Sequence, residues 1–210
     1  MREAAQSPLA PWQSISRQAE GVSLGVWIFL VSEVLLFGGL FLGYAVYRGL
    51  HPEAWRAAAA HTDVFYGTLN TAILMTSSLT MAMASRGVEH ALRRMTSICL
   101  LLTAGLGIAF LVTKGFEYQA DISKGLLPGP GFALQPATAQ LFWAFYWVMT
   151  GLHAVHLGIG VGLVGLLLSH MHRKRATLRS TAVEGVALYW HLVDVIWVVL
   201  LPLLYLIGRA

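Results

Sequence analysis

Between residues 140 and 169 the chain runs for 30 residues without an Asp, Glu, Lys or Arg. About 20 apolar residues are enough for a helix to cross a bilayer, so this stretch alone constrains the fold more than any other. Four further stretches behave the same way. Residues 22–47 carry one charge, Glu33; residues 64–85 carry none; residues 96–113 carry none before Lys114; residues 186–207 carry only Asp194. Backbone polar groups in hydrocarbon must be satisfied internally, which leaves helices as the natural solution for segments this long. The expectation is an all-α integral membrane protein. It is a five-transmembrane-helix bundle with helices at about 22–47, 64–85, 96–118, 140–169 and 183–207, preceded by a cytoplasmic segment at 1–21. The first apolar run is too long for a signal-peptide core, and no small-residue cleavage site follows it, so it is expected to be retained.

Composition agrees. Charged residues are 11% of the chain and hydrophobic residues 57%, where an average soluble protein is about 25% charged. This excludes an ordinary soluble enzyme, a disordered chain and a strongly basic nucleic-acid binder. The one cysteine, Cys99, excludes an internal disulfide framework and a multi-cysteine metal site. No internal repeat is visible.

Five spans put the termini on opposite sides. The N-terminal side then carries nine basic residues: Arg2, Arg17, Arg86, Arg93, Arg94, Arg173, Lys174, Arg175 and Arg179. The other side carries four: Arg48, Arg56, Lys124 and Arg209. By the positive-inside rule the N-terminus is cytoplasmic and the C-terminus periplasmic. The connections are 48–63, 86–95, 115–139 and 170–182, the third made irregular by Pro128, Gly129, Pro130, Gly131 and Pro136.

Helical periodicity sorts side chains onto faces. On the first helix Glu33, Phe37, Leu40, Tyr44 and Tyr47 share a stripe. The fourth helix has two faces: Phe142, Phe145, Met149, His153 and His156 on one, and Gly151, Gly158, Gly162 and Gly165 on the other. The glycine seam suits close helix packing, as does the Gly39/Gly43 pair on the first helix. On the fifth helix Glu184, His191, Asp194, Val198 and Tyr205 align.

Ionisable groups at membrane depth are costly and persist only with partners or a purpose. The candidates are Glu33, Lys114, Glu117, His153, His156, His191 and Asp194. A bis-histidine haem needs facing histidine pairs on two helices, one pair near each side of the membrane. Here His153 and His156 sit at one depth, opposite His191 alone. A metal site from His153, His156, His191 and Asp194 requires the fourth and fifth helices to touch, and the spacing lacks a dense ligand signature. A proton relay needs carboxylates strung along a path, and two on different helices do not make one. A satisfied structural network is the simplest reading. In it His153, His156, His191 and Asp194 lock the last two helices together, with an imidazole donating to Asp194. Glu33 is held neutral and hydrogen-bonded, or faces a hydrated headgroup or a partner. Lys114 and Glu117 form an i,i+3 ion pair near the outer interface, where Lys can snorkel, and Cys99 is an apolar core residue. There is no nucleophile with a positioned base, phosphate-binding loop or dinucleotide fingerprint. The residues thus describe a membrane subunit with buried polar networks and no cofactor of its own.

Five stretches, taken in order, resemble subunit III of the haem-copper respiratory oxidases. They are Gly25-Val-Trp-Ile-Phe-Leu-Val-Ser-Glu33; Leu69-Asn70-Thr71; Lys114-Gly-Phe-Glu117-Tyr118; Thr150-Gly151-Leu-His153-Ala-Val-His156; and Tyr189-Trp190-His191-Leu-Val-Asp194-Val-Ile-Trp197. The likeness is to the short, five-helix form. The resemblance implies a non-catalytic subunit of a terminal oxidase that reduces O2 to water, in the bacterial cytoplasmic (inner) membrane. Its main contact is oxidase subunit I, with subunit II and a small subunit IV nearby. Haem and copper lie in the partner subunits and none in this chain. Phospholipids bind, nucleic acid does not, and the subunit supports stability and cytoplasmic proton uptake during proton translocation. Glu33 matches the family's membrane-embedded acid. Lys114, Glu117, His153, His156, Glu184, Trp190, His191 and Asp194 are implied to be a buried polar network or a contact to lipid or subunit I. The chain does not choose between cytochrome c and quinol as donor. Two alternatives stay open: a relative associated with nitric oxide reductase, with which the Ser77-Ser78 pair and residues 114–118 are compatible, and an unrelated transporter or scaffold.

Overall fold

The computed structural model describes residues 15–134, 138–174 and 180–206. Arg2 and most of the 1–21 segment, Pro136, Arg175, Arg179 and Arg209 lie outside the described residues. Among the described residues there is no strand. The elements are α1 (Ile15–Leu50), α2 (Pro52–Ala59), α3 (Val64–Glu89), α4 (Arg93–Ser123), α5 (Ala139–Lys174) and α6 (Ser180–Leu201), followed by a π-turn over Pro202–Leu206. Four helical stretches are long and apolar enough to cross a membrane: Glu20–Leu50, Arg93–Ser123, Ala139–His172 and Thr181–Leu206. α3 has the length, at 26 residues, but Asn70 and a run of Thr and Ser residues dilute its apolar content.

The 48–63 connection is not a plain loop, because it contains α2. Pro52 opens the helix with Glu53 in its first turn, as helix N-termini favour. Its amphipathic pattern buries Trp55, Ala58 and Ala59 completely. Eight residues cannot span a bilayer, so a search for spans passes over this helix. Asp63 then caps α3, its side chain accepting from the Phe65 N–H at 2.9 Å.

α3 and α4 form an antiparallel hairpin through a turn with Ala91 at φ 55°. α4 runs to Ser123, beyond the expected 118. It closes in a Schellman arrangement, with Gly125 N–H bonded to Ile122 O at 3.0 Å and Leu126 N–H to Asp121 O at 3.1 Å. Gly125 sits at φ +70°, the left-handed conformation this cap requires and glycine supplies without strain. α6 packs on α3 and α5, α5 packs on α4, and α1 lies at the edge against α5 and α6. Most of α1 is exposed apolar surface, including Leu24, Trp27, Ile28 and Leu35.

Three of the four glycines of the α5 seam do not pack inside this chain, while Gly151 lies near Tyr118 OH, 3.8 Å from an added Cβ. A Cβ on Gly158, Gly162 or Gly165 meets nothing within 4 Å, and neither does one on Gly39. The close approaches are elsewhere. Trp190 of α6 wedges between α4 and α5, so that a Cβ on Gly107 falls 2.8 Å from its ring and one on Gly160 falls 3.1 Å from it. Pro202 lacks the N–H that would continue α6. The wider π-turn that follows leaves carbonyls for long-range bonds: Tyr44 donates to Leu203 O at 2.5 Å and Thr62 to Leu204 O at 3.3 Å. The same turn aims Tyr205 inward, where it is fully buried.

Candidate functional site

The polar residues at membrane depth collect into three groups. The largest lies between α4, α5 and the π-turn. Lys114 and Glu117 are one helical turn apart, and Lys114 Nζ donates to Glu117 Oε2 at 2.9 Å. The ion pair expected from the sequence is therefore present, but Lys114 does not snorkel. Both side chains are only 2% exposed. The ammonium also donates to Tyr205 OH at 2.6 Å and Tyr146 OH at 3.0 Å. Tyr205 donates in turn to Glu117 Oε1 at 2.7 Å. Tyr146 faces two acceptors, Glu117 Oε1 at 2.8 Å and Asp121 Oδ2 at 2.9 Å, and its one hydroxyl hydrogen serves either. Four aromatic rings surround Nζ at 4.7–5.5 Å, those of Tyr118, Tyr146, Trp197 and Tyr205. Next to this group Tyr118 donates to Thr150 Oγ1 at 2.7 Å. Asp121, Tyr146 and Trp197 were absent from the sequence-based candidate set. Asp121 is i+4 from Glu117 on the same helix face, a signal that the spacing did carry.

The second group joins α1 to α5. His156 Nε2 lies 2.7 Å from Glu33 Oε2, with the two side chains 11% and 12% exposed. The oxygen is off the line of the ring N–H bond. His156 Nδ1 is 2.7 Å from the Leu152 carbonyl, which can only accept, so Nδ1 carries a proton and Nε2 alone meets Glu33. The partner of Glu33 is thus an imidazole, and His156 turns to α1 rather than to Asp194. Phe37 stacks edge-on against the His156 ring at 5.5 Å.

The third group ties α6 to α3. His191 Nδ1 and Ser78 Oγ are 2.7 Å apart. Trp190 Nε1 donates to Ser77 Oγ at 3.1 Å and Trp197 Nε1 to Thr71 Oγ1 at 3.0 Å. Asp194 is 1% exposed, and neither of its oxygens has an aligned donor. No imidazole donates to it, contrary to the expectation of an α5–α6 lock. His153 is fully buried with both ring nitrogens unbonded. It is held by aromatic packing, against Trp197 at 5.1 Å and Phe110 at 5.4 Å. Glu184 is exposed on α6 and lines an open groove with His191. On α3, Asn70 Oδ1 accepts from Thr113 of α4. Cys99 is a free, buried thiol within the apolar core.

The chemistry these groups offer is cohesion and proton holding. Among the described residues no three His, Cys, Asp or Glu side chains converge as a metal site. The Ser and Thr hydroxyls of α3 are the acceptors and donors for α6, and they account for the lower hydropathy of that helix.

The comparisons with known proteins bear on the whole chain. A sequence model of the family described as cytochrome c oxidase subunit III matches residues 13–209. The cytochrome c oxidase subunit 3 of Thermostichus vulcanus is 34% identical over 191 residues, covering 89% of this chain and 87% of that protein. A heme-copper oxidase subunit I+III of Aeropyrum pernix is 32% identical over 190 residues, covering 87% of this chain and 22% of that longer protein. A probable quinol oxidase subunit 3 of Staphylococcus haemolyticus is 26% identical over 198 residues, covering 93% of this chain and 94% of that protein.

Proposed function

Because the chain belongs to the cytochrome c oxidase subunit III family, we propose that it is the non-catalytic third subunit of a haem-copper terminal oxidase reducing O2 to water. The family match over residues 13–209 carries this reading. The same match argues against an unrelated transporter or scaffold, and no described feature favours an association with nitric oxide reductase. The electron donor is a property of other subunits: relatives named for cytochrome c and for quinol align with the same chain.

In the assembly, subunit I is the main contact. The Aeropyrum relative, whose name joins I and III, supports that pairing. Haem and copper reside in the partner subunits, with subunit II and a small subunit IV as further neighbours. α1, α3, α4, α5 and α6 all span the membrane, with the N-terminus in the cytoplasm of a bacterial cell and the C-terminus in the periplasm. Glu33, Lys114, Glu117, His153, His156, Trp190, His191 and Asp194 hold the bundle in shape and do not take part in oxygen chemistry. Phospholipids cover the exposed apolar face of α1, and Glu184 lies at the cytoplasmic surface.

The test is purification of the native complex through a tag on this chain. A co-purifying haem-bearing subunit and oxygen consumption sustained by that preparation are expected. A chain that purifies alone in mild detergent and supports solute flux in vesicles overturns the reading.

A further inference from the structure

Asp194 is a buried carboxyl group with no aligned donor, one helical turn beyond His191, which lines a groove between α3 and α6. An open groove of about 400 Å³ lies between α3 and α6, lined by Ser85, Arg86, Glu89, Glu184, Leu188 and His191. Arg86 and Glu89 pair along its α3 wall at 3.2 Å. The half-buried imidazole of His191 lines this groove and meets Ser78 Oγ at 2.7 Å through Nδ1. Ser78 also stands beside the Asp194 carboxyl. Its single hydroxyl hydrogen can serve His191 or Asp194. On the far side of Asp194 the next turn of α6 is Trp197, fully buried and packed on Phe110 at 4.7 Å and on His153. That end is closed.

We propose that His191 and Ser78 form a proton relay that loads and unloads Asp194 from the groove, making Asp194 a buried proton-storage site. Loading starts with Asp194 ionised, Ser78 O–H donating to it, and His191 carrying its proton on Nδ1. A hydronium ion in the groove gives a proton to His191 Nε2. The Nδ1 proton passes to Ser78 Oγ as the Ser78 proton passes to an Asp194 oxygen. The products are neutral Asp194, a Ser78 hydroxyl now donating to Nδ1, and neutral His191 with its proton on Nε2. One proton has entered, no group but Asp194 has changed charge, and the reverse sequence releases it. The charged groups facing the relay are Arg86 and Glu89 from α3 and Glu184 from α6. The relay lies wholly within this chain, so it stands whether or not the chain sits in an oxidase.

The experiment is infrared spectroscopy of the purified complex containing the full chain. The wild-type minus Asp194→Asn spectrum is expected to contain one protonated-carboxyl stretch that shifts in heavy water. Isotope-labelled aspartate assigns the band without any substitution, should Asp194→Asn fail to assemble. After transfer to heavy water the wild-type band is expected to shift promptly. In Ser78→Ala and His191→Phe the shift is expected to slow by an order of magnitude or more. Absence of the band at every pH tested, or exchange in both variants as fast as in wild type, overturns the proposal. A merely structural role for the two residues changes stability and leaves the exchange rate alone.

Discussion

Glu33 and His156 meet at 2.7 Å across the α1–α5 contact, where an ionisable pair holds the thinly packed first helix at membrane depth. Nδ1 of the ring is committed to Leu152 O at 2.7 Å. Nε2 is therefore the ring atom that faces the carboxyl group. Removing one partner leaves the other buried beside apolar side chains, which costs about 1–3 kcal/mol. Glu33→Ala and His156→Ala should each lower thermal stability by that amount. The double variant should lose less than the sum, with a coupling of about 1 kcal/mol. Additive losses would mean that the contact contributes nothing. The initial oxygen-consumption rate per haem in fully assembled Glu33→Ala complexes should stay near normal, with any defect emerging as inactivation during sustained turnover.

The Lys114 group should respond far more strongly. One ammonium, two carboxyl groups and two phenols are closed off together, and removing one member strands the rest. Breaking a buried pair from one side typically costs about 3–5 kcal/mol, while an apolar replacement of the whole pair is often neutral. Lys114→Met is expected to prevent stable assembly, and Lys114→Met with Glu117→Leu to recover most of it. Tyr205→Phe removes one donor to Glu117 and one acceptor for Lys114 and should cost about 1–3 kcal/mol. Denaturation midpoints of the purified variants decide the order. A Lys114→Met variant as stable as wild type would show that the ammonium has no structural part.

Charge and periodicity carry the helices and the inward stripe of α5, because an uncharged run of this length has one outcome in a bilayer and Phe142, Met149 and His153 repeat at helical spacing. They also place Lys114 beside Glu117, since three residues make one turn. They do not say which helix a side chain turns toward. His153 and His156 share a depth and a stripe, yet they stand about 60° apart around α5. The two histidines therefore face different neighbours, α1 for one and the α4–α6 aromatic packing for the other. Tyr146 is hidden in the sequence for a related reason. A tyrosine in an aromatic run looks apolar until a lysine is buried against it. The glycines misled in the opposite sense. Regular spacing marked Gly158, Gly162 and Gly165, while the contact that needs glycine is set by a single large ring, Trp190, and has no period.

That contrast gives a test on the glycines. A Cβ on Gly107 would stand 2.8 Å from both Trp190 and Val161 Cγ2, closer than packed carbon atoms tolerate. Gly107→Ala should destabilise the chain by about 1–3 kcal/mol through overpacking. Gly158→Ala and Gly162→Ala, whose added methyl groups meet nothing within 4 Å, should leave its melting temperature unchanged. If the alanine at 158 or 162 destabilises the isolated chain as much as the one at 107, the packing described for α5 is wrong. Loss of co-purification with subunit I at unchanged chain stability would instead assign the seam to the partner.

Topology is the last expectation, and the fold adds a physical link to the charge count. Arg93, at the start of α4, donates through Nη2 to the Met171 carbonyl near the end of α5 at 2.6 Å. The α3–α4 turn and the 170–182 connection therefore share one end of the bundle, and the Lys114 group lies toward the other. The basic residues Arg86, Arg93 and Arg94 cluster at that shared end, next to the connection that carries Arg173, Lys174, Arg175 and Arg179. The positive-inside rule puts this end in the cytoplasm. α3 and α4 are antiparallel neighbours in one hairpin, which supports the proposal that α3 crosses with α4. The proposed topology has five crossings between the termini. Cys99 is buried, so introduced cysteines can be read against a quiet background with a membrane-impermeant maleimide. Ala210→Cys should label in intact spheroplasts, and Ala176→Cys only after the membrane is permeabilised. Labelling of both from the outside, or protection of both, would mean that α6 does not cross, and labelling of Ala4→Cys from the same side as Ala210→Cys would mean an even number of crossings and leave α3 outside the spanning set.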